Sequence, residues 1–133
     1  MAMTTHIVAT PNDLKWADVP SLPRGAKIAI IEGSLAETGF ATVRLKFPAD
    51  YKVPPHFHPV VERVTILSGA LNMGLGDLLD ASKSTALPAG SIMVIPPQTH
   101  HFVWTKEETI VQLNVVTPWG ITYVNPADDP RKQ

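Results

Sequence analysis

Hydrophobic and polar residues alternate along much of this chain, with the period of two that strands show and helices do not. In the segment 40–47, every odd position is apolar and most even positions are polar. This pattern predicts a strand with one face in a core and the other face toward solvent. By the same reasoning we predict strands at 27–32, 40–47, 62–67, 71–75, 91–95, 101–105, 109–116 and 119–124.

Turn-forming residues separate these segments. The chain has 13 prolines and 8 glycines in 133 residues, and they are scattered between the short apolar runs. Such punctuation favours tight turns and leaves no room for a helix longer than a turn or two. About eight short strands in one small domain predict an all-β fold, an antiparallel sandwich or barrel. We divide the chain into an N-terminal arm (1–25), a barrel (26–124) and a polar C-terminal tail (125–133).

Two of the predicted strands are apolar on both faces, at 28–31 and 110–116. One face of each fills the core, so the other face also needs a cover. The N-terminal arm or a second subunit would supply that cover. We therefore predict a homodimer.

Composition and charge exclude several classes of protein. Hydrophobic residues make up 44% of the chain and charged residues 17%, which is typical of a globular domain rather than a disordered one. The net charge of -1 argues against strong binding to nucleic acid or to an anionic membrane. No stretch is long and apolar enough to span a bilayer, and the first ten residues show no secretory pattern. With no cysteine, disulfides are absent, and we predict a cytoplasmic protein.

A cluster of potential metal ligands lies near the middle of the chain. His56 and His58 are one residue apart, so an extended backbone would direct both rings to the same side. Glu62 follows four residues later, and His101 stands at the start of a later predicted strand. Imidazole and carboxylate suit first-row divalent ions. The alternative is a set of solvated surface histidines, but a carboxylate at the mouth of an apolar strand is costly to bury unless something pairs with it.

The spacing of these residues resembles the two sequence motifs of the cupin family. The first motif corresponds to His56-x-His58, three residues, Glu62, six residues and Gly69, and the second to Gly90, five residues, Pro96, four residues and His101. The resemblance covers roughly residues 40–116, and the tail is similar to that of small bacterial cupin proteins of uncharacterised function. It implies a double-stranded β-helix, also called a jelly roll. It also implies that the metal ligands are His56, His58, Glu62 and His101.

The chain departs from the family pattern at three positions. Asp50 and Gln98 stand where the motifs have glycine, and Thr105 stands where the second motif often has asparagine. These changes affect turns and a pocket wall rather than the ligands. His100 competes with its neighbour His101, because adjacent strand residues point to opposite faces. The motif spacing selects His101, and we place His100 on the rim or the surface.

Several polar residues are candidates for the pocket wall or for contacts with the ligand imidazoles. Gln112 and Asn114 share one strand face, which is either inward or at a surface interface. Arg44 is a candidate for binding a substrate carboxylate, although a solvated position on the outer strand face suits it better. The candidate pocket residues are Arg44, Gln98, Thr105, Gln112 and Asn114.

These features indicate a metal-dependent enzyme acting on a small organic molecule. No serine or cysteine nucleophile and no glycine-rich phosphate loop is evident, so the ion would supply the chemistry. The ligand set leaves an octahedral ion two open positions, which suits dioxygenase-like or lyase- and isomerase-like reactions. We expect a divalent first-row metal as cofactor, namely iron, manganese, nickel or zinc. The alternatives are a non-catalytic binding or sensing module with a structural metal, and a barrel without metal.

Overall fold

The structure, a computed structural model, describes residues 6–133. This part of the chain folds into strands with short 3-10 helices between them, and it contains no helix long and apolar enough to cross a membrane. The strands are β1 (Ala17–Asp18), β2 (Lys27–Glu32), β3 (Gly39–Phe47), β4 (Lys52–Phe57), β5 (Glu62–Ser68), β6 (Ala70–Leu75), β7 (Thr85–Pro88), β8 (Ile92–Ile95), β9 (His101–Trp104), β10 (Thr109–Thr117) and β11 (Thr122–Tyr123). The 3-10 helices are Pro11–Asp13, Ala81–Lys83, Pro126–Asp128 and Pro130–Lys132.

The strands form two antiparallel sheets. One sheet has the order β1-β2-β3-β10-β5-β8, and the other has the order β11-β4-β9-β6-β7. Consecutive strands in the chain alternate between the sheets at several points, so the two sheets close over a shared interior. The predicted all-β jelly roll is confirmed.

The alternation of residue types positions the core as the sequence predicts. In β3 the apolar odd positions are buried and the even positions are partly or fully exposed. The neighbouring strand β10 aligns Leu113 with Val43 and Val111 with Leu45, so apolar side chains from both strands enter the same interior. Burying these side chains supplies most of the driving force for folding.

Besides the two-residue β1 in the predicted arm, two strands were not predicted, and the last predicted strand is much shorter than expected. β4 lies in a segment that the sequence presents as a stiff, proline-containing approach to the histidines. Its ladder with β9 pairs Val53 with Val103 and resumes with His56 opposite His101, with a register shift between them. Pro54 occupies that shift, where the absence of its N–H costs no ladder hydrogen bond.

The second unpredicted strand is β7, which lies between the predicted strands at 71–75 and 91–95. It pairs with β6, aligning Leu71 with Leu87. The last predicted strand, at 119–124, is reduced to the two residues of β11. The residues before it instead bond to other parts of the chain: the N–H of Trp119 donates to the carbonyl of Leu35, and the carbonyl of Gly120 accepts from Nδ1 of His58.

The arm and the tail both dock on the barrel. The hydroxyl of Tyr123 donates a hydrogen bond to the carbonyl of Ser21 over 2.6 Å, and that of Tyr51 donates to the carbonyl of Pro23. These bonds hold Leu22 in the core. In the tail, the Nη2 of Arg131 donates to the carbonyl of Ile121 over 2.9 Å. The first five residues of the predicted arm lie outside the described part of the chain.

Candidate metal centre

Three strands bring the histidines and Glu62 together between the two sheets. His56 lies in β4, and His58 directly follows that strand. His101 is the first residue of β9, and the β4–β9 register sets it opposite His56. Glu62 begins β5, so it enters from the other sheet. All four residues are buried.

The three imidazole rings converge on one point. Their centroids are 4.2 Å apart for His56 and His101, 5.1 Å for His56 and His58, and 5.2 Å for His58 and His101. One ligand atom from each ring lies within 4.8 Å of those of the other two. Three neutral imidazoles so placed form a nitrogen donor set suited to a first-row divalent ion.

Backbone carbonyls determine which nitrogen of each ring carries the proton. The Nδ1 atoms of His56, His58 and His101 lie 2.6, 2.8 and 2.9 Å from the carbonyl oxygens of Pro54, Gly120 and Thr99 respectively. A carbonyl oxygen only accepts, so each Nδ1 must be the protonated donor. The lone pair of each neutral ring is then on Nε2, as metal-binding histidines require.

Glu62 faces two of these nitrogens. Its Oε2 lies 3.3 Å from Nε2 of His58, and its Oε1 lies 3.4 Å from Nε2 of His101. The Nε2 of His58 makes no hydrogen bond, so the first contact sets one lone pair against another. A cation between these atoms would turn that repulsion into attraction. The residues present therefore fit a metal ion.

Burial disfavours the charged forms of His56 and His58. It lowers the pKa of His56 from 6.5 to about 3, with further lowering from the nearby His101 and His58. Burial also lowers the pKa of His58. For Glu62, burial acts to raise the pKa, but the neighbouring His101, His58 and His56 outweigh it, so the net shift is downward. Neutral imidazoles and an ionised carboxylate are the protonation states that bind metal.

The centre opens into a small, mostly apolar cavity. Its volume is about 40 Å³, room for roughly three water molecules. Besides the four polar residues, apolar side chains and Trp119 form its wall. The indole of Trp119 stacks on the ring of His58, with centroids 4.4 Å apart and planes 23° apart. The sequence pattern did not identify Trp119 as a site residue; the preceding proline and following glycine were the only local sign that the segment is not a regular strand.

The two adjacent histidines point to opposite sides. The side chain of His101 is 1% exposed and lies in the centre, whereas that of His100 is 38% exposed. His100 stacks on Phe57 with centroids 4.9 Å apart, and its Nδ1 is bonded to the carboxylate of Asp77. His101, the residue that the motif spacing selected, is the first residue of β9 and is the one that faces inward.

None of the five candidate pocket residues lines the cavity. Arg44 and Gln112 lie on the outer face of the six-stranded sheet, where the Nε of Arg44 donates to the Oε1 of Gln112 over 3.1 Å. Asn114 lies beside them and donates to the hydroxyl of Thr42 over 3.1 Å. The physical reason is strand register: the apolar positions of β3 and β10 face inward, so these alternate positions must face outward.

The remaining two candidate pocket residues, Gln98 and Thr105, have backbone roles. The hydroxyl of Thr105 accepts from the N–H of Tyr51 over 3.1 Å and donates to the carbonyl of Pro48 over 2.7 Å. The N–H of Gln98 donates to the carbonyl of His58 over 2.9 Å. Both therefore hold the turns that position the ligands, instead of contacting a substrate.

The two positions where the family motifs have glycine adopt the conformation that glycine favours. Asp50 has a φ of 57° and Gln98 a φ of 63°, both in the left-handed region. The chain thus keeps the turn geometry of the motifs without the glycines.

Comparisons with known proteins agree with this architecture. The family model described as the ChrR cupin-like domain matches residues 4–117. The polyketide cyclase RemF from Streptomyces resistomycificus has a similar structure, with a TM-score of 0.72 and 17% identity over 99% of this chain and 92% of that one. KdgF from Halomonas sp. has a TM-score of 0.63 and 19% identity over 85% and 95%.

An oxalate oxidase is more similar in sequence but less similar in structure. It is 27% identical, with a TM-score of 0.58, over 81% of this chain and 59% of its own. No curated protein matches the sequence. The structural neighbours establish the fold. The family match is independent of them and covers most of the chain.

Proposed function

Because the chain belongs to the family of ChrR cupin-like domains, we propose that it is a metal-dependent enzyme acting on a small organic molecule. The ligands would be His56, His58, Glu62 and His101, holding a divalent first-row ion. One observation carries the proposal: the imidazoles are held by backbone carbonyls so that their free nitrogens face one another and a carboxylate. A cation placed among these atoms would be attracted by the three lone pairs and by the carboxylate.

The chain's own residues would bind, orient and shield. A bound ion would polarise a substrate oxygen or bind dioxygen, because four protein ligands leave an octahedral ion two positions. The carbonyls of Pro54, Gly120 and Thr99 keep the imidazoles in one orientation. The apolar wall and the indole of Trp119 exclude bulk water, which strengthens electrostatic interactions inside.

The substrate class follows from the size of the cavity. A volume of about 40 Å³ is far below the roughly 300–1,000 Å³ of pockets that enclose drug-sized ligands. The cavity accepts a molecule of a few heavy atoms, or one end of a longer molecule. One oxalate oxidase similar to this chain has been described in complex with glycolate, a small carboxylate, which supports a ligand of that size.

The same small cavity also favours a second candidate function, a non-catalytic binding or sensing module. In that case the ion would hold a small ligand without converting it. This candidate predicts metal content and thermal stabilisation by the ligand, as mass action requires, but no turnover.

The experiment begins with metal analysis of protein purified without a histidine tag. The protein is then loaded with iron(II), manganese(II), nickel(II) or zinc(II) and screened on small carboxylates, carbonyl compounds and diketones. We expect His101→Ala to lose both metal and turnover, and His100→Ala, the adjacent outward histidine, to keep both. Absence of metal and of uptake on titration would contradict the proposal, and turnover unaffected by His101→Ala would exclude this mechanism.

We also propose that the chain forms a homodimer through the outer face of the six-stranded sheet. Its edge strand β8 exposes Ile92 and Val94, and Phe40 and Val116 are exposed on the same face. An apolar edge strand is a ready surface for pairing with another copy. The polar row formed by Arg44, Gln112 and Asn114 crosses the middle of this face.

A further inference from the structure

Two buried polar atoms stand out across residues 6–133 because they have no hydrogen-bond partner. They are Nε2 of His58 and Nε1 of Trp119. Their rings are stacked, with centroids 4.4 Å apart, and both residues line the cavity. Leaving a buried polar group unpaired costs free energy, and two such groups side by side require an explanation.

The two atoms have opposite chemistry. The Nε2 of His58 offers a lone pair, because its ring proton is on Nδ1, bonded to the carbonyl of Gly120. The indole nitrogen of Trp119 is a donor only. A metal ion would satisfy the first atom but not the second. The indole N–H needs an acceptor oxygen or nitrogen, and no described protein group supplies one.

We propose that Trp119 Nε1–H donates a hydrogen bond to a small anion, a carboxylate, bound to the metal ion of this centre. The proposal rests on the proposed function and names the ligand class of that same site. Three neutral imidazoles and one carboxylate around a divalent ion leave a net charge of +1. In a buried site, one anionic ligand neutralises that charge.

Because the rest of the cavity wall is apolar, the indole N–H is the contact that would distinguish one class of ligand from another. Apart from the four metal-ligand candidates and Trp119, the lining residues are apolar. The Nδ1 protons of the histidines are already committed to carbonyls. The indole N–H is therefore a buried donor without a partner on a residue of the cavity wall, and it would favour a carboxylate over a neutral group that lacks a second acceptor oxygen.

The backbone holds the indole in place. The N–H of Trp119 donates to the carbonyl of Leu35 over 2.8 Å. The next residue, Gly120, uses its carbonyl to hold the His58 ring over 2.8 Å. The donor and one metal-ligand candidate are thus positioned by adjacent residues of one segment. Such preorganisation is what a binding group needs to act without reorganising.

The first test uses nuclear magnetic resonance on the zinc-loaded full chain labelled with ¹⁵N-tryptophan. The chain has three tryptophans, so three indole signals are expected, and variants assign them. Titration with formate should move the Trp119 indole proton downfield to a saturating value, because a hydrogen bond to an anion forms. The indole of Trp104, which already donates to the hydroxyl of Ser84 over 3.0 Å, should not move.

The second test measures formate affinity through the visible spectrum of cobalt(II)-loaded protein. Trp119→Phe keeps an aromatic ring over His58 but removes the donor. We expect unchanged metal content and formate binding weaker by roughly 10- to 100-fold, the usual effect of losing a hydrogen bond to a charged group. Trp104→Phe, which removes a different indole N–H, should bind formate like the unaltered chain.

The outcomes separate this inference from the proposed function. A chain that takes up neither zinc nor cobalt overturns both. Metal uptake with no formate binding overturns the ligand class. Formate binding without movement of the Trp119 signal, or with equal affinity in Trp119→Phe, overturns the role of the indole and leaves the metal centre standing.

Discussion

The Nε2 atom of His58 lies 3.3 Å from Oε2 of Glu62, although the carbonyl of Gly120 holds the ring's proton on the opposite nitrogen. Two groups with lone pairs therefore face each other in a buried site. In the absence of a cation, this contact opposes folding. In its presence, the same contact becomes a pair of metal–ligand interactions. The contact between His58 and Glu62 therefore lowers the stability of the metal-free protein and raises its affinity for metal.

Glu62→Gln should separate those two effects. Without metal, we expect the melting temperature to rise, because the amide is uncharged and can donate to Nε2 of His58. With metal, we expect affinity to fall by at least about a hundredfold, since a charged ligand is lost. Thermal melts with chelator and with zinc measure both quantities. The matched control is Glu107→Gln at an exposed turn, and equal zinc affinity in Glu62→Gln and the control would contradict the assignment.

Metal-free protein should lose stability as the pH falls from about 6.5 toward 3. Burial lowers the pKa of His56 from 6.5 to about 3 in the folded state, so in this range the unfolded chain binds more protons than the folded one. The free energy of unfolding therefore decreases as the pH is lowered. Urea unfolding between pH 7 and pH 4.5 in the presence of chelator measures the slope.

The control for this slope is a histidine outside the centre. His56→Asn should flatten the dependence relative to the unaltered chain, whereas His6→Asn, in the exposed arm, should leave it unchanged. Identical slopes in His56→Asn and the unaltered chain would show that His56 is not the group responsible.

Gln98→Gly should stabilise the protein. Gln98 has a φ of 63°, which strains a residue with a side chain but not glycine. Glycine also has more freedom in the unfolded chain, which offsets part of this benefit. We therefore expect a net increase of about 0.5–1 kcal/mol in the free energy of unfolding. Urea unfolding checks it. Gln98→Ala, which removes the side chain but keeps the backbone strain, should show no such gain. An equal gain in Gln98→Ala would show that the side chain of Gln98, and not its backbone conformation, lowers the stability.

Gly74→Ala should destabilise the protein. A Cβ at Gly74 would lie 2.2 Å from Cζ of Phe102, whose side chain is fully buried. Overpacking of this kind costs about 1–3 kcal/mol, because the ring or the strand must move. Gly120→Ala is the matched control, since a Cβ there meets nothing within 4 Å. Equal stability of the two variants would show that the Phe102 ring has room to move.

Val94→Lys should convert a dimer into a monomer. Val94 is 56% exposed on the edge strand β8, and a lysine there would place a charge in the proposed interface. Light scattering on the eluting protein measures the mass. The control is Leu78→Lys, which changes an apolar residue that is even more exposed, at 76%, in the loop after β6. A monomeric unaltered chain, or a dimer that persists in Val94→Lys, would contradict the interface.

The sequence alone determined the fold class, most strands and the set of residues to consider as ligands. Alternation in 40–47 is a local property, so it predicted which side chains of β3 are buried. The spacing of His56, His58, Glu62 and His101 resembled a family motif, and the family match confirms the cupin assignment. The period of a strand allowed only one of His100 and His101 to face inward, and the motif spacing selected His101.

Tertiary structure decided what depends on register between distant segments. Arg44, Gln112 and Asn114 face outward because β3 and β10 pair with their apolar positions inside. Proline at 54 is tolerated within a strand because a register shift coincides with it. Trp119 lies against His58 because the carbonyl of Leu35 accepts from its N–H and the carbonyl of Gly120 bonds to the His58 ring. No local pattern encodes that position, since it arises from contacts between residues far apart in the chain.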